Sequence, residues 1–487
     1  MPTTTAHPEL PDGLIIGGDR VTRTSGGTHA HIDPATGRVN ATVPLAGPDE
    51  IGAAVAAGWE AQREWMSFTA DRRRDLLIDL ADAVAEQMAE FSRLNVLDYA
   101  VPISLAVNTI LLERFLRHFA GYVDKPHGLS TPVSGSGDIN LVEREPYGVV
   151  GVIAPWNGAM VVAASCVAPA LAAGNAVVLK PSPLAPLAAL RFGELCTRTG
   201  LPPGLVNVVP ADAEGSQALV RHPNVRKIHF TGGGDTARAV LAGAATNLTP
   251  VVTELGGKSA NLVFSDANLD AAAQLSAYQG PLVQSGQSCA CASRILVHES
   301  VYEAFLEKFV AVVQSTKVGD PFDPTVTVGP VISESAAERI LSIVDRAVAE
   351  RAGELITGGT RIGGELAEGY YLEPTVFAHV DNRSALAQCE TFGPVASVIP
   401  FADEDEALRL ANDTPYGLNA FVQTADLTRA HRVARRLEAG SVWINQISDI
   451  APQGPYGGYK HSGFGRTGGL DGLYEFLQVK NIRIGMG

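Results

Sequence analysis

Five short β-rich runs dominate the middle of the chain: Val149-Val150-Gly151-Val152-Ile153, Ala176-Val177-Val178-Leu179-Lys180, Val206-Asn207-Val208-Val209, Lys227-Ile228-His229-Phe230 and Val251-Val252-Thr253. Ala/Leu-rich segments of helical length separate most of them. Strands that alternate with helices pair in parallel, because each crossover helix returns the chain to the same edge and covers a sheet face. The pattern predicts an α/β fold with a doubly wound, Rossmann-like domain, whose ligands bind beyond the carboxyl ends of the strands. A second α/β region opens near Gly256-Gly257. Its expected strands are Asn261-Leu262-Val263-Phe264, Arg294-Ile295-Leu296-Val297, Ala396-Ser397-Val398-Ile399-Pro400 and Ser441-Val442-Trp443-Ile444.

Val149 to Leu179 carries no charge, yet Pro155, Gly158, Pro169 and Gly174-Asn175 interrupt it, so it reads as strand, loop, helix, turn and strand rather than a membrane span. Asp49 to about Gly121 has apolar residues at helical spacing, and Arg72 to Arg74 fit a solvated helix face. Gly358-Gly359 and Gly363-Gly364 mark surface turns. The segments Thr131 to Arg144 and Leu477 to Ile484 are β-compatible and distant from both cores in sequence, which suggests an arm. The expected partition is a first α/β domain over 1–130 and 145–255, a second over 256–465, and a small β arm over 131–144 and 466–487. The tail strand is expected to pair with the arm of another subunit, since an unpaired strand exposes a sheet edge.

A net charge of -15 disfavours nucleic-acid binding, which needs a basic patch. Met1-Pro2-Thr3-Thr4-Thr5 begins no apolar run of the kind a secretory signal contains. Five cysteines, an odd number in a long chain, imply no disulfide framework and fit a reducing compartment, the cytoplasm. Cys289-x-Cys291 lacks the further ligands a zinc site needs, so no metal is expected.

The chemistry centres on Gly286-Gln287-Ser288-Cys289, a thiol in a turn of small residues, and on Glu254 at the end of a β run. A thiol near neutral pH needs a base or a tuned field to act as a nucleophile. Glu254 is a candidate base or water activator, with a salt bridge to Lys258 as the structural alternative. Cys291 fits a buried structural role.

Seven ordered segments together resemble the aldehyde dehydrogenase superfamily over nearly the whole chain: Pro155-Trp156-Asn157, Lys180-Pro181-Ser182, Phe230-Thr231-Gly232, Glu254-Leu255-Gly256-Gly257-Lys258, Gly286-Gln287-Ser288-Cys289, Glu390-Thr391-Phe392-Gly393-Pro394 and Pro455-Tyr456-Gly457-Gly458-Tyr459-Lys460. The resemblance implies oxidation of an aldehyde to a carboxylic acid through a Cys289 thiohemiacetal and thioester. It makes the first domain cofactor-binding, the second catalytic and the arm an oligomerisation element, in a homodimer or homotetramer. Asn157 and the Cys289 backbone N–H would form the oxyanion hole, and Glu254 would activate the hydrolytic water. Cofactor contacts are expected from Ile153, Pro155, Trp156, Lys180, Ser182, Pro183, Thr231, Gly232, Gly233, Leu255, Gly256, Glu390 and Phe392. Thr231-Gly232-Gly233-Gly234 would open a helix toward the pyrophosphate.

Three departures from the family pattern matter. Pro183 stands where a ribose-binding Glu is frequent, so NADP is expected to serve as well as NAD. Gly158-Ala159, Val162 and Ser165 replace bulkier residues, and with Leu111, Ser288, Ile450 and Tyr456 they predict an uncharged, fairly bulky substrate, an aromatic or terpenoid aldehyde. Cys166 stands where a Lys is frequent and reads best as a small buried residue. Two readings compete: a coenzyme A-acylating semialdehyde dehydrogenase, which has less need of Glu254, and a non-catalytic binding or structural protein on the same fold, which has no need of Asn157, Glu254 and Cys289 together.

Overall fold

The computed structural model describes residues 10–106, 109–133 and 137–486. The extreme N-terminus and positions 107–108 and 134–136, parts of the expected first domain and arm, lie outside the described residues.

All five runs of the first region form strands, and they pair in parallel in the order Val206–Val208, Ala176–Lys180, Val149–Ile153, Lys227–Thr231, Val251–Glu254. Strand order reverses between Val149–Ile153 and Lys227–Thr231. The loops leaving these two strands therefore diverge and open a crevice at their carboxyl ends. Antiparallel strands Leu14–Ile16 and Asp19–Val21 extend one edge, and Gly463–Phe464 pairs with Val251–Glu254 at the other. Every residue of Val149–Ile153 and Ala176–Lys180 is buried, the consequence of helices on both faces.

The uncharged stretch folds as strand, loop, helix Ala159–Val162, a π turn Ala163–Val167, helix Ala168–Ala172, turn and strand. Among the described residues no helix is long and apolar enough to cross a membrane. The early Ala/Leu-rich region forms helices Pro48–Ser67, Ala70–Glu86, Met88–Tyr99 and Thr109–Ala120. The first is anchored by fully buried Trp65, whose indole N–H donates to the Leu171 carbonyl at 3.0 Å.

The second sheet runs Glu354–Thr357, Thr375–Ala378, Val395–Phe401, Arg294–His298, Ala260–Val263, Asn419–Gln423, Ser441–Ile444, parallel except for its first strand. Three of its strands, Glu354–Thr357, Thr375–Ala378 and Asn419–Gln423, escaped the sequence pattern. In Asn419–Gln423 both polar ends are buried and hydrogen-bonded, Gln423 to Asn261 at 3.2 Å and Asn419 to Tyr456 at 3.2 Å. A cross-strand partner thus takes up Gln423, and a residue outside the sheet, Tyr456, takes up the Asn419 side-chain N–H.

The arm forms, and one expected border needs correction. The tail strand Leu477–Ile484 pairs along its full length with Ile139–Pro146 of its own chain, and Leu129–Thr131 completes a three-stranded antiparallel arm. This ladder occupies one edge of the tail strand, which stands at the outside of the arm. The border at 465 is crossed: Gly463–Phe464 belongs to the first sheet, and Leu473, Phe476 and Leu477 are packed in the first core.

Candidate active site

Glu254 ends the strand Val251–Glu254, and its position is set by the chain that returns alongside. The Leu255 N–H donates to the Ser462 carbonyl at 3.0 Å, and the Ser462 hydroxyl donates to the Gly256 carbonyl at 2.7 Å. Gly463 has φ +114, and a Cβ there would lie 2.0 Å from the Thr253 oxygen, so only glycine permits this approach. The Glu254 carboxylate is buried, and neither oxygen has a hydrogen-bond partner among the described residues. Burial raises its pKa well above the ordinary carboxylate range, and Arg466 offsets this only in part. The alternative ion pair with Lys258 is not formed; that ammonium instead donates to the Thr391 hydroxyl at 3.3 Å.

Cys289 sits on a tightly wound loop. Gln284 and Ser285 adopt left-handed backbone angles, φ 47 and 57, and Gly286 follows at φ +70. A Cβ on Gly286 would meet the Gly393 oxygen at 1.9 Å. Side chains hold the loop in this shape: Ser285 donates to the Gly329 carbonyl at 2.7 Å, and Gln287 accepts from the Ile332 N–H at 2.9 Å. Burial and the carboxylates of Glu390 and Glu254 push the Cys289 thiol up to about 12. The Cys289 backbone N–H donates to no protein acceptor among the described residues. Cys291, two residues on, is buried with its S–H donating to the Gly280 carbonyl at 3.0 Å, a structural bond. Cys166 is fully buried in the π turn.

Asn157 lies on the loop after Val149–Ile153. One N–H of its side-chain amide donates to the Gln287 carbonyl at 2.9 Å, which ties that loop to the Cys289 turn. Asn157, Glu254 and Cys289 line one cavity of about 460 Å³. Leu111, Gly158, Val162, Ser165, Ser288, Ile450 and Tyr456, all expected from the sequence, line it too, as do Pro155, Thr231 and Leu255. Among the described lining residues the charged side chains are Glu254 and Asp449, and no Lys or Arg is present.

This arrangement brings a thiol, a partnerless buried carboxylate, a side-chain amide and a free backbone N–H to one apolar cavity. The model of the aldehyde dehydrogenase family matches residues 21–482. The chain belongs to that family. A curated aldehyde dehydrogenase from Enchytraeus buchholzi is 39% identical over 478 residues, 97% of this chain and 95% of that protein. PnpE from Pseudomonas sp. WBC-3 is 37% identical with a TM-score of 0.94, covering 98% of each chain. Betaine aldehyde dehydrogenase from Staphylococcus aureus, solved with NAD+, is 34% identical with a TM-score of 0.95, covering 99% of this chain and 96% of its own. The protein is therefore an oxidoreductase that oxidises aldehydes with a nicotinamide cofactor.

Among the other expected cofactor residues, Lys180 and Gly233 sit at or just after the carboxyl ends of first-sheet strands, and their chemistry fits a dinucleotide. Lys180 is buried at the end of Ala176–Lys180, with no hydrogen-bond partner among the described residues. Burial lowers its pKa to about 8, with Asp212 pulling the other way. A buried ammonium of this kind calls for acceptors such as ribose hydroxyls. The helix Gly234–Ala244 starts at Gly233 without a side-chain cap, and a Cβ on Gly233 would meet nothing within 4 Å, leaving open N–H groups for a pyrophosphate. Glu390 accepts from the Gly257 N–H at 3.1 Å, and a Cβ on Gly256 would lie 2.0 Å from its carboxylate. Phe392 meets Trp156 edge-on at 5.4 Å. Ile153 packs in the core, and the Ser182 hydroxyl accepts from the Leu184 N–H at 3.2 Å within its own turn.

Sequence reasoning missed several residues. Leu105, Ile110, Val161, Tyr278, Leu282, Ile447 and Asp449 also wall the cavity, and they come from five separate segments. Asp212 acts on Lys180 from the loop after Val206–Val208. The one available signal was that adjacent parallel strands end at the same edge, which places that loop beside Pro183.

Proposed function

We propose that this enzyme oxidises an uncharged, fairly bulky aldehyde, aromatic or terpenoid, to its carboxylic acid. The carrying observation is the convergence of Cys289, Glu254 and Asn157 on a cavity walled largely by Leu, Ile, Val and Tyr, with uncharged polar residues such as Ser165, Thr231 and Gln279 and the single further charge of Asp449. Cys289 attacks the aldehyde carbon and gives a tetrahedral alkoxide. The second N–H of Asn157 and the Cys289 backbone N–H donate to its oxygen, each worth about 3 kcal/mol of barrier. The nicotinamide, when bound, supplies the hydride acceptor. Collapse of the alkoxide leaves a thioester on Cys289. Glu254, raised in pKa by burial, takes a proton from the water that cleaves it. That carboxylate favours hydrolysis over acyl transfer to coenzyme A.

The substrate reading rests on charge and shape. The acidic pair Glu254 and Asp449 disfavours anionic aldehydes. Exposed Ile110, Tyr278 and Ile447 extend the apolar lining outward. A kcat/KM panel tests this. Benzaldehyde-type and monoterpenoid aldehydes should exceed succinate semialdehyde and betaine aldehyde by at least about tenfold, the scale of one or two apolar contacts. Equal values across the panel would remove the reading.

We further propose that NADP is accepted with NAD ahead. Pro183 supplies no carboxylate to repel a 2′-phosphate, while Asp212 keeps one negative charge near Lys180. Assembly into a dimer or tetramer through the arm is supported by its exposed Leu129, Val479 and Ile484. A monomer by light scattering would overturn that part.

A further inference from the structure

The loop after Ser441–Ile444 supplies four consecutive wall residues of the cavity, Ile447, Ser448, Asp449 and Ile450. Packing holds one of them: Ile450 lies against the first core and, like Cys289, against the cluster around Tyr456. Ile447 and Asp449 stand exposed. Between Asn445 and Ala451, two hydrogen bonds tie this loop to the rest of the chain among the described residues, and both leave from Ser448. Its backbone N–H at 3.1 Å and its hydroxyl at 3.2 Å donate to the same side-chain oxygen, that of Gln279.

Gln279 is itself placed by the turn that carries the nucleophile. It is the last residue of helix Leu269–Gln279, and its backbone carbonyl accepts from the Ala292 N–H at 2.9 Å. The next carbonyl, that of Gly280, takes the Cys291 S–H. The Gln279 side chain is buried and lines the cavity. One N–H of its amide donates to the Ala290 carbonyl at 3.2 Å, one residue past Cys289. An amide oxygen has two lone pairs, and Ser448 occupies both. The side chain is thus a brace of fixed length from the Cys289 turn to the loop. We infer that Gln279 is a positioning residue that sets specificity: it holds the Ile447–Asp449 wall at a fixed distance from Cys289, against the far end of a bulky aldehyde.

Without the amide, the Ala290 carbonyl loses its partner, and the Ser448 donors turn to water, which an exposed loop reaches easily. The outer wall then moves with the loop. A short aldehyde on Cys289 meets Ile450 and Tyr456, which keep their packing. A substrate long enough to reach Ile447 and Asp449 loses a contact surface. The inference rests on the reading of this cavity as the seat of a bulky aldehyde.

Gln279→Met keeps the length of the side chain and removes its hydrogen bonds. Its kcat/KM for a benzaldehyde-type or monoterpenoid aldehyde should fall about tenfold, mainly through KM, while that for propanal should stay within about twofold of the parent. Ser448→Ala, on the loop itself, removes the hydroxyl bond and keeps the backbone one, so the bulky aldehyde should lose about threefold. Added to Gln279→Met, it should change nothing more, because both act through one brace. An equal loss on propanal and the bulky aldehyde, no loss on either, a loss carried by kcat alone, or full additivity of the two substitutions would overturn the inference. Unchanged selectivity in Ser448→Ala would do so too, whatever the fate of the buried variant. The parent is read separately. Equal parent values for bulky and short aldehydes would sink the bulky-substrate reading, and a bulky-to-short ratio that still falls in Gln279→Met would leave the brace standing.

Discussion

Replacing Glu254 with Gln separates the two halves of the proposed reaction. Neither carboxylate oxygen has a protein hydrogen bond to lose, so the swap rewires no network. A Cβ on Gly457 would lie 2.8 Å from one of these oxygens, so the space is filled by the present side chain and suits an isostere. What disappears is the base. General-base catalysis contributes about 10²- to 10⁴-fold, or about 3 to 5 kcal/mol of barrier. Acylation should proceed, so stopped-flow absorbance of reduced cofactor should show a burst of one equivalent per active site. Steady turnover should then continue about 10²- to 10⁴-fold below the parent. The same variant carries a stability signature with a definite sign. In the parent the folded-state pKa is raised, so below the unfolded value of about 4.3 both states hold the proton and the variants differ little. Above it the unfolded chain loses its proton first, and the parent loses stability up to the folded pKa. The Tm of the Gln variant minus that of the parent should therefore grow as pH rises from about 4. Parent-like steady turnover would remove Glu254 as the base, and a Tm difference that is flat with pH would remove its raised folded-state pKa.

Other perturbations follow from the same geometry. Cys289→Ser should abolish dehydrogenase turnover and retain NAD binding, while Cys291→Ser, whose hydroxyl can still donate to Gly280, should cost about 1 kcal/mol of stability and little activity. Gly256→Ala places a methyl against Glu390 and should lower kcat/KM about a hundredfold, the scale of a misplaced contact group; parent-like kinetics would detach Glu390 from cofactor positioning. Asp212→Asn should shift the NADP/NAD ratio of kcat/KM toward NADP by about threefold to tenfold, and Pro183→Glu should shift it the other way. If neither moves the ratio, the choice is set elsewhere.

The parallel strands were legible because burial on both faces makes them continuous apolar runs, as in Val149–Ile153 and Ala176–Lys180. The Cys289 turn and the Glu254 strand end were legible because glycines at fixed offsets, Gly256 and Gly286, record close approaches of other chain segments. Asn419–Gln423 was not, since its polar ends find their partners, Tyr456 and Asn261, only in the folded chain. The cavity wall was half legible. Val162 and Ser165 lie on the short helix and the π turn that directly follow the recognisable Pro155-Trp156-Asn157 loop, whereas Tyr278, Ile447 and Asp449 reach the cavity through packing that no local pattern encodes. The destination of the tail strand was also hidden: alternation in Leu477–Ile484 predicts a strand, and only the intrachain register with Ile139–Pro146 says which edge it joins.

In the proposed reaction Cys289 carries the acyl group. Acid-quenched single turnover of Glu254→Gln with an aromatic aldehyde and NAD, followed by peptide mapping and mass spectrometry, reads this directly. One acyl adduct is expected, on the peptide containing Cys289 and localised to that residue rather than to Cys291. Stoichiometric reduced cofactor without that adduct, or with the acyl group on another residue, would contradict it.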